Sequence, residues 1–259
     1  MRNLLIDVIF MTTVAGVGGT GLGGVISCFF RKDSDRMISL LLSFAAGVMT
    51  AVVCFDLLTD ALFPEGSDRQ TSLALILAGV LMGYGVIGLL NAVVDGRRQA
   101  QGVRKNGGDL FLAGVVMAAA IALHNIPEGM VIGAAFAGTK SSGLLPRSGL
   151  MMAVVIGLHN IPEGMAVAVP LVSGKMHRPA AILVTALTGM PTILGAILGY
   201  FLGSMGPLSL AISLSFASGA MLYVVYGELL PEASLMWQSK LPALAAIIGI
   251  MTGMIIVYA

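Results

Sequence analysis

The heptapeptide His-Asn-Ile-Pro-Glu-Gly-Met occurs twice in the chain, at 124–130 and at 159–165, without a mismatch and 35 residues apart. In each copy the imidazole lies four residues before the carboxylate and the amide three residues before it. On a helix, His124, Asn125 and Glu128 therefore share one face, and His159, Asn160 and Glu163 share another. Pro127 cannot donate to the carbonyl of Leu123, nor Pro162 to that of Leu158, so each helix is predicted to kink and to present a freed carbonyl beside its polar face. Two imidazoles, two carboxylates and two amide oxygens suit a borderline divalent ion such as Zn²⁺, Fe²⁺, Mn²⁺, Co²⁺ or Cd²⁺, and the glutamates could bridge a pair of ions. The competing reading is a polar network that joins two buried helices by hydrogen bonds. A complete His, Asn and Glu face repeated on a second helix favours metal.

The elements that must position these faces are membrane helices. Of 259 residues, 57% are apolar and 10% charged, and the mean hydropathy is +0.96, which excludes a water-soluble globule. The apolar runs give an all-α chain with eight predicted spans at 4–30, 37–62, 72–94, 110–138, 148–172, 179–203, 206–234 and 241–259, each long enough to cross roughly 30 Å of hydrocarbon. They form a single transmembrane domain over 1–259. The first run is too long for a signal-peptide core and lacks a clear cleavage site, so it is read as a retained span. A carboxylate at the bilayer centre costs roughly 2.5–3.5 kcal/mol, so the two polar faces are expected to turn towards each other or towards a wet cavity.

Other chemistries find little support. A net charge of +1 leaves no basic footprint for nucleic acid. Cys28 and Cys54 lie inside apolar runs without CxxC spacing. Gly16, Gly18 and Gly21 fit GxGxxG formally but stand within a span with no preceding strand, and neither GxxxxGK[ST] nor HExxH is present. No catalytic cofactor is expected. The Lys and Arg residues set orientation: ten fall on one set of connectors and ends (Arg31, Lys32, Arg36, Arg97, Arg98, Arg104, Lys105, Lys175, Arg178, Lys240) and four on the other (Arg2, Arg69, Lys140, Arg147). By the positive-inside bias, both termini are expected outside a multi-pass chain in the plasma membrane.

A second repeat is longer. At an offset of 172, residues 43–62 align with 215–234 with ten identities in twenty. Asp56 and Asp60 meet Glu228 and Glu232, while Thr20 meets Thr192 and Gly23 meets Gly195 in helices 1 and 6. Helix 3 matches helix 8 only weakly. Helices 2 and 7 are five apart and helices 4 and 5 one apart, so the partners cross in opposite directions: an inverted repeat of helices 1–3 with 6–8 and of helix 4 with 5, a plan used by secondary transporters. The acids Asp56, Asp60, Glu228 and Glu232, towards opposite ends of helices 2 and 7, are candidates to line the transport pathway and attract cations. His177, in a short loop, reads as a surface residue. Gly195, Gly199 and Gly203 form overlapping GxxxG spacings, for close helix contact within the fold or at a dimer interface.

Eight helices with an HNxPEG-type signature on both helix 4 and helix 5 resemble the ZIP (Zrt/Irt-like) divalent-metal transporters, nearest their bacterial GufA-type branch. The resemblance covers the whole chain. It implies that His124, Asn125, Glu128, His159, Asn160 and Glu163 occupy the metal-site positions, with Met49 on helix 2 as a nearby soft ligand. It further implies that Zn²⁺, Fe²⁺, Mn²⁺ or Cd²⁺ is carried towards the cytoplasm, and that the chain is a homodimer in the lipid bilayer. Two features depart from the pattern. Many bacterial relatives have an acid followed by proline before a Gly-Ala pair in helix 6, where this chain reads Thr192-Ile193-Leu194-Gly195-Ala196, so a carboxylate of a second metal position is missing. The connector after helix 3, His-rich in many members, begins Asp95-Gly96-Arg97-Arg98 and has no histidine.

Taken together, the residues point to a carrier that binds a divalent transition metal between helices 4 and 5 and works by alternating access. The rival of a different class is a membrane-embedded di-metal carboxylate enzyme, though such sites usually use Glu-x-x-His from each helix pair.

Overall fold

Long apolar segments cannot leave backbone amides unpaired in hydrocarbon, and the chain answers with helices throughout. The computed structural model describes residues 4–29, 35–64, 70–100, 110–137 and 147–258. Among these are eight helices long and apolar enough to span a membrane: α1 (Leu4–Ser27), α2 (Arg36–Leu62), α3 (Leu73–Ala100), α4 (Leu110–Ala137), α5 (Arg147–Ser173), α6 (Arg178–Ser204), α7 (Pro207–Met236) and α8 (Leu241–Tyr258). Of the charged residues counted for orientation, Arg2, Arg31, Lys32, Arg69, Arg104, Lys105 and Lys140 lie outside the described residues.

Two predicted boundaries shift. Helix α3 continues past the apolar run to Ala100, because a helix needs no hydrophobic surroundings once it has left the bilayer. Helix α6 is two helices rather than one: Arg178–Thr188 ends at Gly189-Met190 and the chain restarts at Pro191, a residue suited to a first helical position but unable to continue the preceding hydrogen-bond ladder. After α6, Gly206 turns the chain at φ 130°, closed to residues with a side chain, and Pro207 opens α7.

Helices α2, α4, α5 and α7 form the inner layer, and each is backed by one outer helix: α8 on α2, α6 on α4, α1 on α5 and α3 on α7. Glycines bring these pairs to backbone contact. Cβ atoms added at Gly129 and Gly195 would strike the carbonyls of Thr192 and Ile126 between α4 and α6, and Gly164 and Gly23 meet those of Thr20 and Ile161 between α5 and α1. Those two contact sets superpose at the offsets of 35 and 172. Likewise Gly47 meets Ala246 and Gly249 meets Phe44 between α2 and α8, while Gly219 meets Val80 and Gly83 meets Phe216 between α7 and α3. Here α3 and α8 correspond at an offset of 166 rather than 172. At that offset too the sequences agree at little beyond Leu75 with Leu241 and Gly83 with Gly249, so the likeness lies in the contacts rather than in the residues. Gly195, Gly199 and Gly203 all face α4, so this stripe is used within the fold.

Three stretches are wound as π-helix: Val14–Gly18 in α1, Val53–Leu57 in α2 and Val225–Leu229 in α7. The last two coincide at the offset of 172 and contain Asp56 and Glu228 respectively. Such single-turn bulges are frequent at functional sites, because they insert a residue and re-aim the side chains around it. Most hydroxyls in the spans are satisfied locally. Thr12, Thr50, Thr185, Ser215 and Ser218 each donate to the carbonyl four residues earlier in their own helix. Ser39 is different, donating from α2 to the Ala233 carbonyl of α7 at 2.6 Å. The outward faces carry exposed Phe10, Leu81, Leu194 and Ile255, the surface a lipid-facing helix presents.

Candidate metal centre

Both copies of the heptapeptide are buried in the inner layer, where α4 and α5 pack side by side, and both helices run through their prolines uninterrupted. His124, Asn125, Glu128, His159, Asn160 and Glu163 are all at most 5% exposed. Polar groups so deep need partners, and the partners they have divide them into three sets.

The first set is the cluster. Ligand atoms of Glu128, His159 and Glu163 all lie within 4.8 Å of one another. His159 Nε2 approaches Glu128 Oε1 at 3.1 Å across the interface, so the two copies of the motif interlock. Glu128 Oε2, both carboxylate oxygens of Glu163 and the Asn160 Oδ1 have no hydrogen-bond partner. Buried carboxylate oxygens without a protein donor are what a divalent cation satisfies, and these nitrogen and oxygen donors fit zinc chemistry.

The second set carries the site outward. His124 Nε2 lies 2.9 Å from Glu228 Oε2 on α7, close but without the alignment of a hydrogen bond. Glu228 thus sits deeper than a helix-end acid: the π turn at 225–229 directs it onto α4. His124 and Glu228, with Glu232, Asn91 and Tyr223, line a cavity of about 280 Å³ among α2, α3, α4, α5 and α7. Asp56 and Asp60 line a second cavity of about 100 Å³ with Ser148, Met151 and Met152, bounded by α2, α4, α5 and α7. Each predicted acid pair therefore faces its own cavity, and of these two only the larger is lined by a residue of the double motif. Met49 is buried in the apolar core of α2. Asn91, a lone amide in the apolar run of α3, escaped the sequence reading; its polarity in that run was the available signal.

The third set is structural. Asn125 Nδ2 donates to the carbonyls of Ile121 and Thr188, each at 3.0 Å, and its Oδ1 accepts from Thr192 Oγ1 at 3.0 Å. Asn160 Nδ2 donates to the Ala15 carbonyl, inside the π turn of α1, at 3.2 Å. Each asparagine thus ties its helix to the irregular turn of the outer helix behind it. Neither Thr188 nor Ala15 could be recognised from side-chain type, because backbone oxygens exposed by a broken helix are what serve.

Comparison with known proteins agrees with this chemistry. A family model described as ZIP Zinc transporter matches residues 94–259. The chain is 32% identical to the zinc transporter ZupT of Chlorobaculum parvum, over 99% of this chain and 97% of that protein. It is 30% identical to the ZupT proteins of Akkermansia muciniphila, over 97% and 95%, and of Escherichia coli O127:H6, over 93% and 92%. With a family model over more than half of the chain and this agreement along nearly its whole length, the chain belongs to the ZIP zinc transporter family.

Proposed function

We propose that this protein transports Zn²⁺ across the plasma membrane into the cytoplasm, with Fe²⁺, Mn²⁺ and Cd²⁺ as further substrates. The observation that carries this reading is the pair of Glu163 carboxylate oxygens, fully buried, unpartnered and grouped with Glu128 and His159. Glu128, Glu163 and His159 hold the ion, Asn160 supplies an amide oxygen, and His124 with Glu228 passes it between the cluster and the larger cavity. Met49, buried in the apolar core of α2, is the soft ligand that the resemblance implies. Glu232, and Asp56 with Asp60 on the other side, draw cations into the two cavities.

The driving force is the ion's own gradient and the membrane potential, since a dication moving inward through 100 mV gains about 4.6 kcal/mol. Alternating access follows if the two cavities open in turn. The recurrence of helix contacts at fixed offsets, and of π turns at Asp56 and Glu228, supports an inverted repeat in which both sides are built alike. Both termini are then outside and the Glu228 cavity faces the cytoplasm. A homodimer remains part of the proposal, with an interface other than the Gly195–Gly199–Gly203 stripe. The di-metal enzyme finds no support, because the family and the relatives are transporters.

Uptake of radioactive zinc into proteoliposomes, with Fe²⁺, Mn²⁺ and Cd²⁺ in competition, tests the reading. Zinc accumulation that collapses when the zinc gradient and the potential are removed is the expected result. Liposomes that take up no more zinc than empty ones would overturn it.

A further inference from the structure

The chain holds a single tryptophan, and its surroundings have no part in the zinc pathway. Helix α7 ends at Met236, and Trp237 follows in extended backbone, half-buried. The Arg36 guanidinium of α2 lies 5.7 Å from the centre of its ring, near enough for a cation–π contact. Gly249 meets Phe44 and Gly47, and Gly253 meets Val48 and Ala51, so α2 and α8 run parallel. Continued back to the helix starts, that register sets Arg36 level with Lys240. Two cations and one indole thus share the rim where α2 begins and α7 passes into α8.

The connector is held in one shape. Trp237 N donates to the Ala233 carbonyl at 3.2 Å, Ser239 N to the Trp237 carbonyl at 2.9 Å, and Leu241 N to Ser239 Oγ at 3.3 Å. Stacking engages the flat face of the guanidinium, while its N–H donors lie in the plane, the geometry that takes phosphate oxygens in pairs. Arg36 and Lys240 are both exposed. Next to Lys240 an apolar stripe starts along α8: Leu241, Leu244, Ile248, Met251 and Ile255 are exposed and spaced by three or four, so they share one face. A lone basic residue at a helix end would only bias orientation. Here a ring at headgroup depth fixes one cation, a second stands at its level, and a strip of hydrocarbon continues from both. The connectors and ends on this side carry ten Lys and Arg against four acids, Asp33, Asp35, Asp95 and Asp109, so the wider field also selects an anion.

We propose that this rim is a docking surface for an anionic phospholipid: Arg36 and Lys240 hold the phosphate, Trp237 sets its depth, and an acyl chain lies along the α8 stripe. The partner is a lipid rather than a free phosphate, because the apolar stripe continues directly from the cations and would contribute nothing to holding a soluble anion. A lipid bound here touches α2, α7 and α8 together, on the helices that Ser39 joins through the Ala233 carbonyl, and anchors that group at a fixed depth in the bilayer. The inference goes beyond the zinc reading and does not depend on it, since it needs only that α2 and α8 span a membrane.

Trp237 is its own reporter. The full-length protein is reconstituted into phosphatidylcholine vesicles that contain either brominated phosphatidylglycerol or brominated phosphatidylcholine, and quenching of its fluorescence is compared at equal bromine content. Stronger quenching by the brominated phosphatidylglycerol is expected. Lys240→Gln should weaken that lipid's apparent affinity about fivefold, as for loss of one cation near the surface, Arg36→Gln by a similar factor, and high salt should shrink the excess. Equal quenching by the two lipids, or an excess that persists in both variants, would overturn the proposal. Where Arg36→Gln fails to fold, Lys240→Gln at its exposed position decides alone. Glycerol 3-phosphate separates the two sources of phosphate: an excess that survives it supports the lipid, and one that it abolishes would mean a site for soluble anions and refute the assignment.

Discussion

His124 on α4 and Glu228 on α7 stand 2.9 Å apart, Nε2 to Oε2, although 104 positions separate them in the sequence. Both residues line the larger cavity, and in the proposed pathway an ion leaving Glu128 and Glu163 on that side would meet this imidazole and carboxylate next. Glu228→Gln keeps the shape and removes the charge, and zinc transport is expected to fall about tenfold or more, as for loss of an outer metal partner. Zinc flux measured in proteoliposomes would count against the pathway if the variant matched the wild type.

Glu128→Ala and Glu163→Ala should each nearly abolish transport. Removing one charged partner from a buried ion pair costs about 3–5 kcal/mol, which is on the order of a hundredfold or more in affinity. Full activity in either variant, at normal membrane abundance, would refute the metal-site assignment.

His124→Ala should act on selectivity more than on capacity. Imidazole favours Zn²⁺ over Mn²⁺, whereas carboxylates accept both, so the variant's preference should shift towards Mn²⁺. Competition of Mn²⁺ and Cd²⁺ against zinc uptake checks this, and unchanged ratios would remove His124 from a selecting role.

Opposite insertion of the two halves places the α2–α3 and α7–α8 connectors on different sides. In a variant without Cys28 and Cys54, a cysteine at Ser72 should label only from outside and one at Ser239 only from the cytoplasm; both residues are exposed. Labelling from one common side would end the inverted-repeat reading.

Gly83→Ala and Gly249→Ala place a methyl group against the Phe216 and Phe44 carbonyls. Overpacking of this kind costs about 1–3 kcal/mol, so each should lower the thermal unfolding midpoint in detergent while leaving metal preference intact. A midpoint equal to the wild type's would mean that the helix pairs yield at these seams.

The eight spans and the shared polar faces were legible because they follow from short-range pattern: apolar length for α1 to α8, and three-four spacing for His124, Asn125 and Glu128. The likeness of α3 to α8 was hidden because the two helices share few residues in any register, and Gly83 and Gly249 disclose it only once their partners are seen. The position of Glu228 was equally hidden. Helical spacing alone puts it near an end, and only the π turn at 225–229 brings it to His124. Asn125 shows a further limit. Its type and position match those of Asn160, yet its oxygen is engaged because α6 breaks at Gly189-Met190, a break that tertiary packing with α1 at Gly16 supports and residue type alone does not announce.

The hydroxyls that bond within their own helices bear on how the molecule can rearrange. A donor such as Thr50 or Ser218 carries its acceptor with it, so a helix presenting it can slide along a neighbour without stranding a polar proton in hydrocarbon. Ser39, Asn125 and Asn160 have no such freedom, because each has an acceptor on another helix, α7, α6 and α1 respectively. Slippage at those three seams would leave buried donors bare, and these cross-helix bonds, with those of Thr192 to Asn125 and His159 to Glu128, act as rivets in a body whose in-helix hydroxyls are lubricated.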